Sequence, residues 1–275
     1  MNEVAPQKSD KYEIYAVLYG EHAYYPGYLY FWMGNPPLSP QQELTFISYY
    51  YWLIRGPEGN FLFDCGMTRE GARAYHMEGY QDHQTLLGRM GLSVEDIDAV
   101  VFSHLDPDHF EGISAFNPQR TQIYMHEEAL SFHLRARHYP ILRALDVPSW
   151  NEVETAMKLM ERDNLNLLGV DRGEQLEIVP GLSVVRTDGH YPGHLCLLAR
   201  TEKGPVVLAA DAAYMDDNLE REWPVGLIRT HLTDAMDVFP LFRRLTASGG
   251  FVVPGHEPKL KVRFPEVQDR IYRIA

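Results

Sequence analysis

Hydrophobic and polar positions alternate in two strand-rich blocks of the chain, and helical patterns follow each block. The first block opens with KYEIYAVLYG, residues 11–20, whose alternation and β-forming residues predict a sheet strand. ISYYYWLIRGPEGNFLFDCGM predicts two further strands joined by a turn at residues 57–60. The second block begins at Gln175, and its strands include a hairpin that turns at residues 202–204.

Helical periodicity separates and follows these blocks. HQTLLGRMGL places Leu86, Leu87 and Met90 on one face and ends at Gly91. Residues 127–165 and 233–248 are also predicted to be mostly helical, and a short terminal helix is expected after the strand in FVVPGH. Two strand blocks, each followed by helices, predict an α/β fold in which two mixed sheets pack face to face with helices outside, a four-layer sandwich.

Length and composition limit the classes of protein that fit. The 275 residues suit a flexible N-terminal tail, residues 1–10, and a single domain, residues 11–275. The net charge of −13 argues against a nucleic-acid partner and against an anionic membrane surface. There is no apolar run of the roughly 20 residues that span a bilayer and no signal-peptide core, so a cytoplasmic location is expected.

The strongest chemical signal is SHLDPDHFEG, residues 103–112, directly after a predicted buried strand. His104, Asp106 and Asp108 are spaced by two, which points such side chains the same way on an extended segment. Pro107 disfavours the helical region for Asp106, so the segment is expected to be extended there, and His109 follows Asp108 at a turn of the chain. Four nitrogen and oxygen donors in six residues predict a divalent metal site. The alternative is that the two aspartates cap a helix and the histidines are incidental.

Three later segments place a metal-type ligand just after an apolar strand. TDGHYPGH contains His190 and His194, VVLAAD ends at Asp211, and FVVPGH ends at His256. An aspartate after five apolar residues is costly to bury unless a cation or another partner compensates its charge. These positions strengthen the metal interpretation, although His194 is expected to pack against or support the ligands and not to be a ligand itself.

These motifs together resemble the metallo-β-lactamase-fold hydrolases. The matching pieces are FLFDCG (61–66), the H-x-D-x-D-H run (104–109), GHYPGH (189–194), the aspartate at 211 and GHEP (255–258), in the family's order. The sequence is most similar to the N-acyl-homoserine lactone lactonases, because of its length, the D-x-x-Tyr at 211–214 and the irregular aromatic segment near the N-terminus. The resemblance implies the four-layer αββα sandwich of that family.

The resemblance also implies a site with two divalent metal ions. One ion would be bound by His104, Asp106 and His190 and the other by Asp108, His109 and His256, with Asp211 bridging them. In such a hydrolase a metal-bound hydroxide attacks the carbonyl of a lactone or related ester. Asp108 is then expected to orient the hydroxide, and Tyr214 to hydrogen-bond the developing oxyanion. A core tyrosine at position 214 is the alternative.

The sequence departs from the family at Asp106, where a histidine is usual. A carboxylate is a harder ligand than imidazole, so iron or manganese becomes an alternative to zinc. The flavo-diiron branch of the same fold has Glu at this position, which makes a diiron or dimanganese oxidoreductase the second hypothesis. The oxidoreductase hypothesis is disfavoured, because we find no flavodoxin-like domain in the sequence and no spare cysteines for an iron–sulfur or rubredoxin electron donor. Hydrolysis of another ester, amide or phosphoester and a non-catalytic ligand-binding protein also remain open.

Several further residues have two interpretations. Asp64 is either a support for a ligand histidine or a turn residue before Gly66. Ten of the 17 tyrosines lie in residues 12–51 with Trp32 and Trp52, and they form either a pocket for an apolar or aromatic small-molecule substrate or a core or homodimer interface. Glu111, where the family has Gly, is expected to face solvent. Surface or capping roles are predicted for the remaining histidines, namely His22, His76, His83, His126, His133, His138 and His231, and Cys65 and Cys196 are predicted to be buried.

Overall fold

Two β-sheets form the centre of the molecule, which we describe from a computed structural model for residues 11–24, 29–31, 45–117, 119–140, 142 and 150–275. The first sheet has eight strands in the order β12-β13-β1-β2-β3-β4-β5-β6, and the second has five in the order β11-β10-β9-β8-β7. The strands are β1 Glu13–Tyr24, β2 Thr45–Gly56, β3 Gly59–Phe63, β4 Ala99–Val101, β5 Gln122–His126, β6 Leu165–Leu168, β7 Gln175–Val179, β8 Leu182–Arg186, β9 Leu195–Thr201, β10 Gly204–Leu208, β11 Phe251–Val253, β12 Glu266–Gln268 and β13 Ile271–Arg273. The predicted tail, residues 1–10, lies outside the described residues, and the single-domain assignment stays a prediction.

Helices connect the strands and cover the outer faces of the sheets. They are α1 Arg69–Ala74, α2 His83–Arg89, α3 Pro107–Phe110, α4 Glu127–Ala136, α5 Trp150–Met160, α6 Asp216–Arg221, α7 Leu232–Leu245 and α8 Leu260–Arg263, with 3-10 turns at Val94–Asp96, Glu111–Ala115 and Ala210–Ala212. Among the described residues, no helix combines the length and the apolar character that crossing a bilayer requires.

Three apolar cores hold the layers together. Alternate residues of β2, such as Trp52 and Ile54, face a core between the two sheets that includes Leu197 of β9. The other face of β2 joins a core that includes Leu86 and Leu87 of α2. A third core lies between the second sheet and α7. Helix, sheet, sheet and helix therefore stack in four layers, and the predicted sandwich is confirmed.

Strand direction places the chemical motifs at one end of the sandwich. β3 and β4 pair in parallel, so the residues that follow them, Asp64 and His104, leave the same edge of the first sheet. β10 and β11 are parallel in the second sheet, and β8 shares their direction because β9 runs antiparallel to both β8 and β10. The segments that contain His190, Asp211 and His256 follow β8, β10 and β11, so they leave the other sheet at a common edge.

Two predictions of secondary structure are wrong at element level. A short helix, α8, does follow β11, but the chain ends in strands: β13 pairs with β1 and joins the terminus to the first sheet. The helical prediction for residues 127–165 fails at its end, where β6 begins at Leu165 and pairs in parallel with β5. LNLL is too short to show strand periodicity, and its pairing with a neighbour fixes its conformation.

Candidate metal centre

The segment after β4 is extended up to Asp106 and helical beyond it. Asp106 has φ −73° and ψ 149°, as Pro107 requires of the residue before it, and its side chain makes no capping hydrogen bond. The extended conformation expected at Asp106 is present, but the alignment by spacing of two does not continue to Asp108, because α3 begins at Pro107 and contains Asp108 and His109. Proline suits the first helical position, where its fixed φ is helical and its missing N–H would be unpaired anyway.

His104 and His109 are oriented by Ser103 and Asp64. Asp64 Oδ2 lies 2.8 Å from His109 Nδ1 and accepts a hydrogen bond of 2.8 Å from the Ser103 hydroxyl. The Ser103 hydroxyl lies 2.9 Å from His104 Nδ1 and, having donated its proton to Asp64, accepts from that nitrogen. Each ring thus has its N–H on Nδ1, and Nε2 is free for another partner. His109 Nε2 is buried and makes no hydrogen bond.

His190 and His256 are held in the same way by backbone carbonyls. His190 Nδ1 lies 2.8 Å from the carbonyl oxygen of Leu227, and His256 Nδ1 lies 3.1 Å from that of Ser48. A carbonyl only accepts, so both rings have their N–H on Nδ1. Four buried imidazoles therefore direct Nε2 toward one centre, the arrangement that metal-ligating histidines adopt.

Asp211 lies between two pairs of histidines. Its Oδ1 is 3.2 Å from His109 Nε2 and 2.9 Å from His256 Nε2. Its Oδ2 is 3.3 Å from His190 Nε2 and 3.7 Å from His104 Nε2. Each carboxylate oxygen faces a different pair, which is the geometry that a bridging ligand between two ions needs.

Asp106 and Asp108 complete two donor groups. Asp106 Oδ2 is 3.3 Å from His190 Nε2, and Asp108 Oδ2 is 3.3 Å from His109 Nε2. Within each group the donor atoms lie within 4.8 Å of one another; the groups are His104, Asp106 and His190; Asp108, His109 and His256; and His104, His109 and Asp211. The structure thus brings together all seven residues that the sequence singled out as ligands.

Electrostatics keep the buried carboxylates ionised. Burial raises the pKa of Asp211, but the nearby His109, His256 and His190 outweigh it and hold that pKa well below its usual range. Burial likewise raises the pKa of Asp106, and Arg229 with His104 and His190 lowers it well below the usual range. Ionised carboxylates and neutral imidazole nitrogens are the donors that zinc, iron and manganese accept, so the residues present fit two divalent ions.

Arg229 is a residue of this site that the sequence did not reveal. Its Nη1 lies 2.8 Å from Asp106 Oδ2, and its guanidinium lies 5.0 Å from the centre of the Tyr191 ring. It belongs to no motif and lies in the connection before α7. Only its contact with Asp106 in the structure identifies it. The one signal in the sequence is Asp106 itself, because an acidic residue in place of a histidine favours a cation nearby.

Tyr214 borders the same centre. Its hydroxyl lies 3.2 Å from His190 Nδ1, and its ring is edge-on to the rings of His190 and His256. Burial raises its pKa well above the usual range, and Asp211 adds to that effect. The hydroxyl therefore keeps its proton at neutral pH and is a potential donor to a bound molecule.

A cavity of about 350 Å³ opens over the donor groups. Asp106, Asp108, His190, Asp211 and His256 form its floor together with Tyr214 and Arg229, and its walls are Tyr24, Leu29, Ile47, Tyr49, Tyr75 and Leu227. Within the aromatic segment, Tyr24 and Tyr49 line the cavity, whereas Tyr51 and Trp52 are in the cores. An apolar or aromatic substrate and a homodimer interface stay predictions. Trp32 lies outside the described residues.

Other sequence expectations have mixed outcomes. Glu111 is only partly exposed, because it accepts hydrogen bonds from the backbone N–H and hydroxyl of Thr68. His83, His126 and His133 are buried, so a surface position is wrong for these three. His126 does cap α4, because its Nδ1 accepts from the Glu128 N–H, and Cys65 and Cys196 are buried as predicted.

His194 lies behind the donor groups. Its ring centre is 5.2 Å from that of His104, and its Nδ1 is 2.8 Å from the Thr187 hydroxyl. It is fully buried and belongs to none of the three donor groups. This location agrees with the packing role expected for it.

Comparison with known proteins places the chain among metal-dependent hydrolases. Residues 44–256 match the sequence profile of the metallo-beta-lactamase superfamily. An N-acyl homoserine lactonase from a Bacillus species is 31% identical over 205 residues, which span 69% of this chain and 73% of that protein. The N-acyl homoserine lactonase AiiA of Bacillus thuringiensis subsp. kurstaki is 29% identical over 205 residues, which again span 69% of this chain and 73% of that protein.

Solved structures share the fold. The crystal structure of a quorum-quenching N-acyl homoserine lactone lactonase superimposes with a TM-score of 0.74 at 20% identity, over 95% of this chain and 98% of that chain. The dizinc quorum-quenching lactonase AidC, solved with a product bound, gives a TM-score of 0.70 at 15% identity, over 92% of this chain and 89% of that chain.

Proposed function

The chain belongs to the metallo-beta-lactamase superfamily, in the branch of the N-acyl homoserine lactonases, and on that premise we propose that it opens the lactone ring of an N-acyl homoserine lactone. The enzyme is a metal-dependent hydrolase with a dinuclear divalent metal site. The assignment of the seven ligands, the roles of Tyr214 and Asp108 and the identity of the substrate are part of the proposal.

The observation that supports the proposal most directly is the position of Asp211. Its two oxygens face two different pairs of histidine Nε2 atoms at 2.9–3.7 Å, at the floor of an open cavity. We assign one ion to His104, Asp106 and His190 and the other to Asp108, His109 and His256, with Asp211 shared between them. Bound there, two divalent ions would supply an activated water at neutral pH and polarise the lactone carbonyl.

Tyr214 and Asp108 are the residues that would act on the reacting atoms. Tyr214 lines the cavity and its hydroxyl keeps its proton, so it would donate a hydrogen bond to the oxygen on which negative charge develops. Asp108 also lines the cavity, and its carboxylate would orient the attacking water and hold its proton. Tyr19 fixes the backbone of Asp108, because its hydroxyl donates to the Asp108 carbonyl oxygen at 2.6 Å.

The walls of the cavity favour an apolar acyl chain. Leu29, Ile47 and Leu227 present aliphatic surface, and the rings of Tyr24 and Tyr49 add aromatic surface above the donor groups. Burying an acyl chain here removes apolar area from water, at roughly 0.8 kcal/mol per CH₂ group. The substrate is thus a small molecule with a reactive ring and an apolar tail.

The homodimer suggested by the sequence stays a prediction.

Zinc, iron and manganese are all compatible with the donors. Asp106 makes the first group harder than the usual histidine would, which favours iron or manganese beside zinc at that position. Elemental analysis of freshly purified protein, compared with Asp211→Asn, identifies the metal. Two equivalents in the wild type and loss of metal from both positions in Asp211→Asn are expected, whereas loss of one equivalent would contradict the bridging role.

The substrate class is tested by a panel of lactones, aryl esters and phosphodiesters, with product masses measured. We expect ring opening of N-acyl homoserine lactones, with kcat/KM rising with the length of the acyl chain. Faster turnover of an aryl ester or a phosphodiester than of every lactone would contradict the proposal.

A further inference from the structure

A largely buried cation, Arg229, lies directly beside the candidate metal ligands. The Arg229 side chain is 11% exposed and its Nη1 lies 2.8 Å from Asp106 Oδ2. That same oxygen is 3.3 Å from His190 Nε2 and 3.6 Å from His104 Nε2. An arginine is always charged, and a site that attracts two dications is an unfavourable place to bury one unless an anion compensates it.

One segment holds both Arg229 and His190. The Arg229 N–H donates to the Gly189 carbonyl oxygen at 3.0 Å, and the Gly189 N–H donates to the Thr230 hydroxyl at 2.9 Å. Two residues before Arg229, the Leu227 carbonyl accepts from His190 Nδ1 at 2.8 Å. The Arg229 guanidinium also lies over the Tyr191 ring, next to His190. These contacts therefore fix the position of the Arg229 guanidinium relative to His190, which Asp106 also contacts.

The charges explain why the pair belongs together. Two divalent ions together with the carboxylates of Asp106, Asp108 and Asp211 would have a net charge of +1. With a neutral histidine at position 106, the net charge would be +2. Arg229 contributes one positive unit next to Asp106. The Asp106–Arg229 pair thus leaves the site with the net charge that one neutral histidine would give.

We propose that Arg229 is a positioning residue that acts through Asp106, and that the two residues together replace the single histidine usual in this family. This inference rests on the metal site of the proposed function. It implies that Asp106 alone would bind metal too strongly and would weaken the polarising charge of the site. It also implies that Asp106→His alone would leave Arg229 unpaired and buried beside two dications.

Zinc affinity tests the pairing without reference to catalysis. The full chain, stripped with a chelator, is titrated with zinc in competition with a chromogenic chelator. Arg229→Gln keeps a hydrogen-bond donor but removes the charge, so zinc affinity should rise by about tenfold or more, while kcat for ring opening falls. Arg229→Lys keeps the charge and should restore zinc affinity to within about threefold of the wild type.

The reciprocal variants complete the test. Asp106→His should lower zinc affinity by about tenfold or more, and Asp106→His with Arg229→Gln should return it close to the wild type. Arg89→Gln is the matched control, because Arg89 forms a partly buried ion pair of 2.9 Å with Asp269 on another part of the molecule. It should leave zinc affinity unchanged.

A purely structural arginine would give a different pattern. Lower zinc affinity in Arg229→Gln, or a double variant no better than Asp106→His, would overturn the inference. If the wild type binds two zinc ions but opens no lactone, while the variants show the expected zinc affinities, the proposed function fails and the pairing stands. If it opens lactones and the affinities do not differ among the variants, the pairing fails alone.

Discussion

Single side chains determine whether the site is a ligand cage or a set of buried histidines, and Asp64 is the most informative of them. It accepts from His109 Nδ1 and from the backbone N–H and hydroxyl of Ser103, so it orients two imidazoles at once. Its φ of 59° lies in the left-handed region, which asparagine tolerates better than most residues. Asp64→Asn therefore changes the charge with little backbone strain.

We expect Asp64→Asn to keep the fold and to lower metal affinity by about 10–100-fold, because the amide is a poorer acceptor for the ligand histidine. Zinc titration against a chelator and the thermal midpoint of the metal-free chain measure the two effects. Asp98→Asn is the control, since Asp98 accepts from the Asn60 N–H at the start of β3. Equal metal affinity in Asp64→Asn and Asp98→Asn would contradict the supporting role.

Tyr214 is the second informative side chain. Tyr214→Phe should keep the fold and both metals and lower kcat by about 10–100-fold, near the lower end for a lost oxyanion donor. KM should change less, because the hydrogen bond strengthens in the transition state. Tyr12→Phe removes a hydroxyl that donates to Pro180 and serves as the control. Wild-type kcat in Tyr214→Phe, with the metals intact, would show that Tyr214 only packs.

The segment from β4 through α3 illustrates what can and cannot be predicted from sequence. The apolar run before His104 and the proline after Asp106 predict a buried strand and an extended Asp106, and both occur. The helical turn at Asp108 was missed, because spacing by two describes the residues without revealing where the helix starts. Arg229 was missed since it contacts Asp106 across 123 positions of sequence, and no local pattern reports such a contact.

The turn after α3 depends on a glycine for close packing. A Cβ on Gly112 would collide with the Cys65 carbonyl oxygen and the His83 ring, which pack against this turn. Gly112→Ala should therefore lower the free energy of unfolding by about 1–3 kcal/mol, because the backbone of Cys65 cannot retreat easily. Chemical denaturation of the metal-free chain measures it.

Gly88 provides the matched control for that experiment. It lies near the end of α2, and a Cβ there would meet no heavy atom within 4 Å. Gly88→Ala should be neutral or stabilising by up to about 1 kcal/mol, since alanine favours the helix more than glycine does. Equal stability of the two alanine variants would contradict the close packing after α3.

The molecule as a whole places five strand ends at one edge of a two-sheet sandwich, and that placement is what the sequence patterns predict well. Strand alternation and apolar runs were sufficient to predict the four layers, and ligands directly after β4, β8, β10 and β11 indicated a metal site. That seven particular side chains would meet there was implied by the resemblance to the metallo-β-lactamase-fold hydrolases. The terminal pairing of β13 with β1 was not predicted, because a three-residue strand has no periodicity of its own.

The central claim is that this chain is a dinuclear metal-dependent lactonase, and a metal titration of its activity tests that claim most directly. Chelator-stripped protein is titrated with zinc, iron(II) or manganese(II), and ring opening of an N-acyl homoserine lactone is followed after each addition. The rate should be negligible without metal, rise with added metal and stop rising at two equivalents per chain. Full activity of the stripped protein, or two bound equivalents with no ring opening for any of the three metals, would contradict the claim.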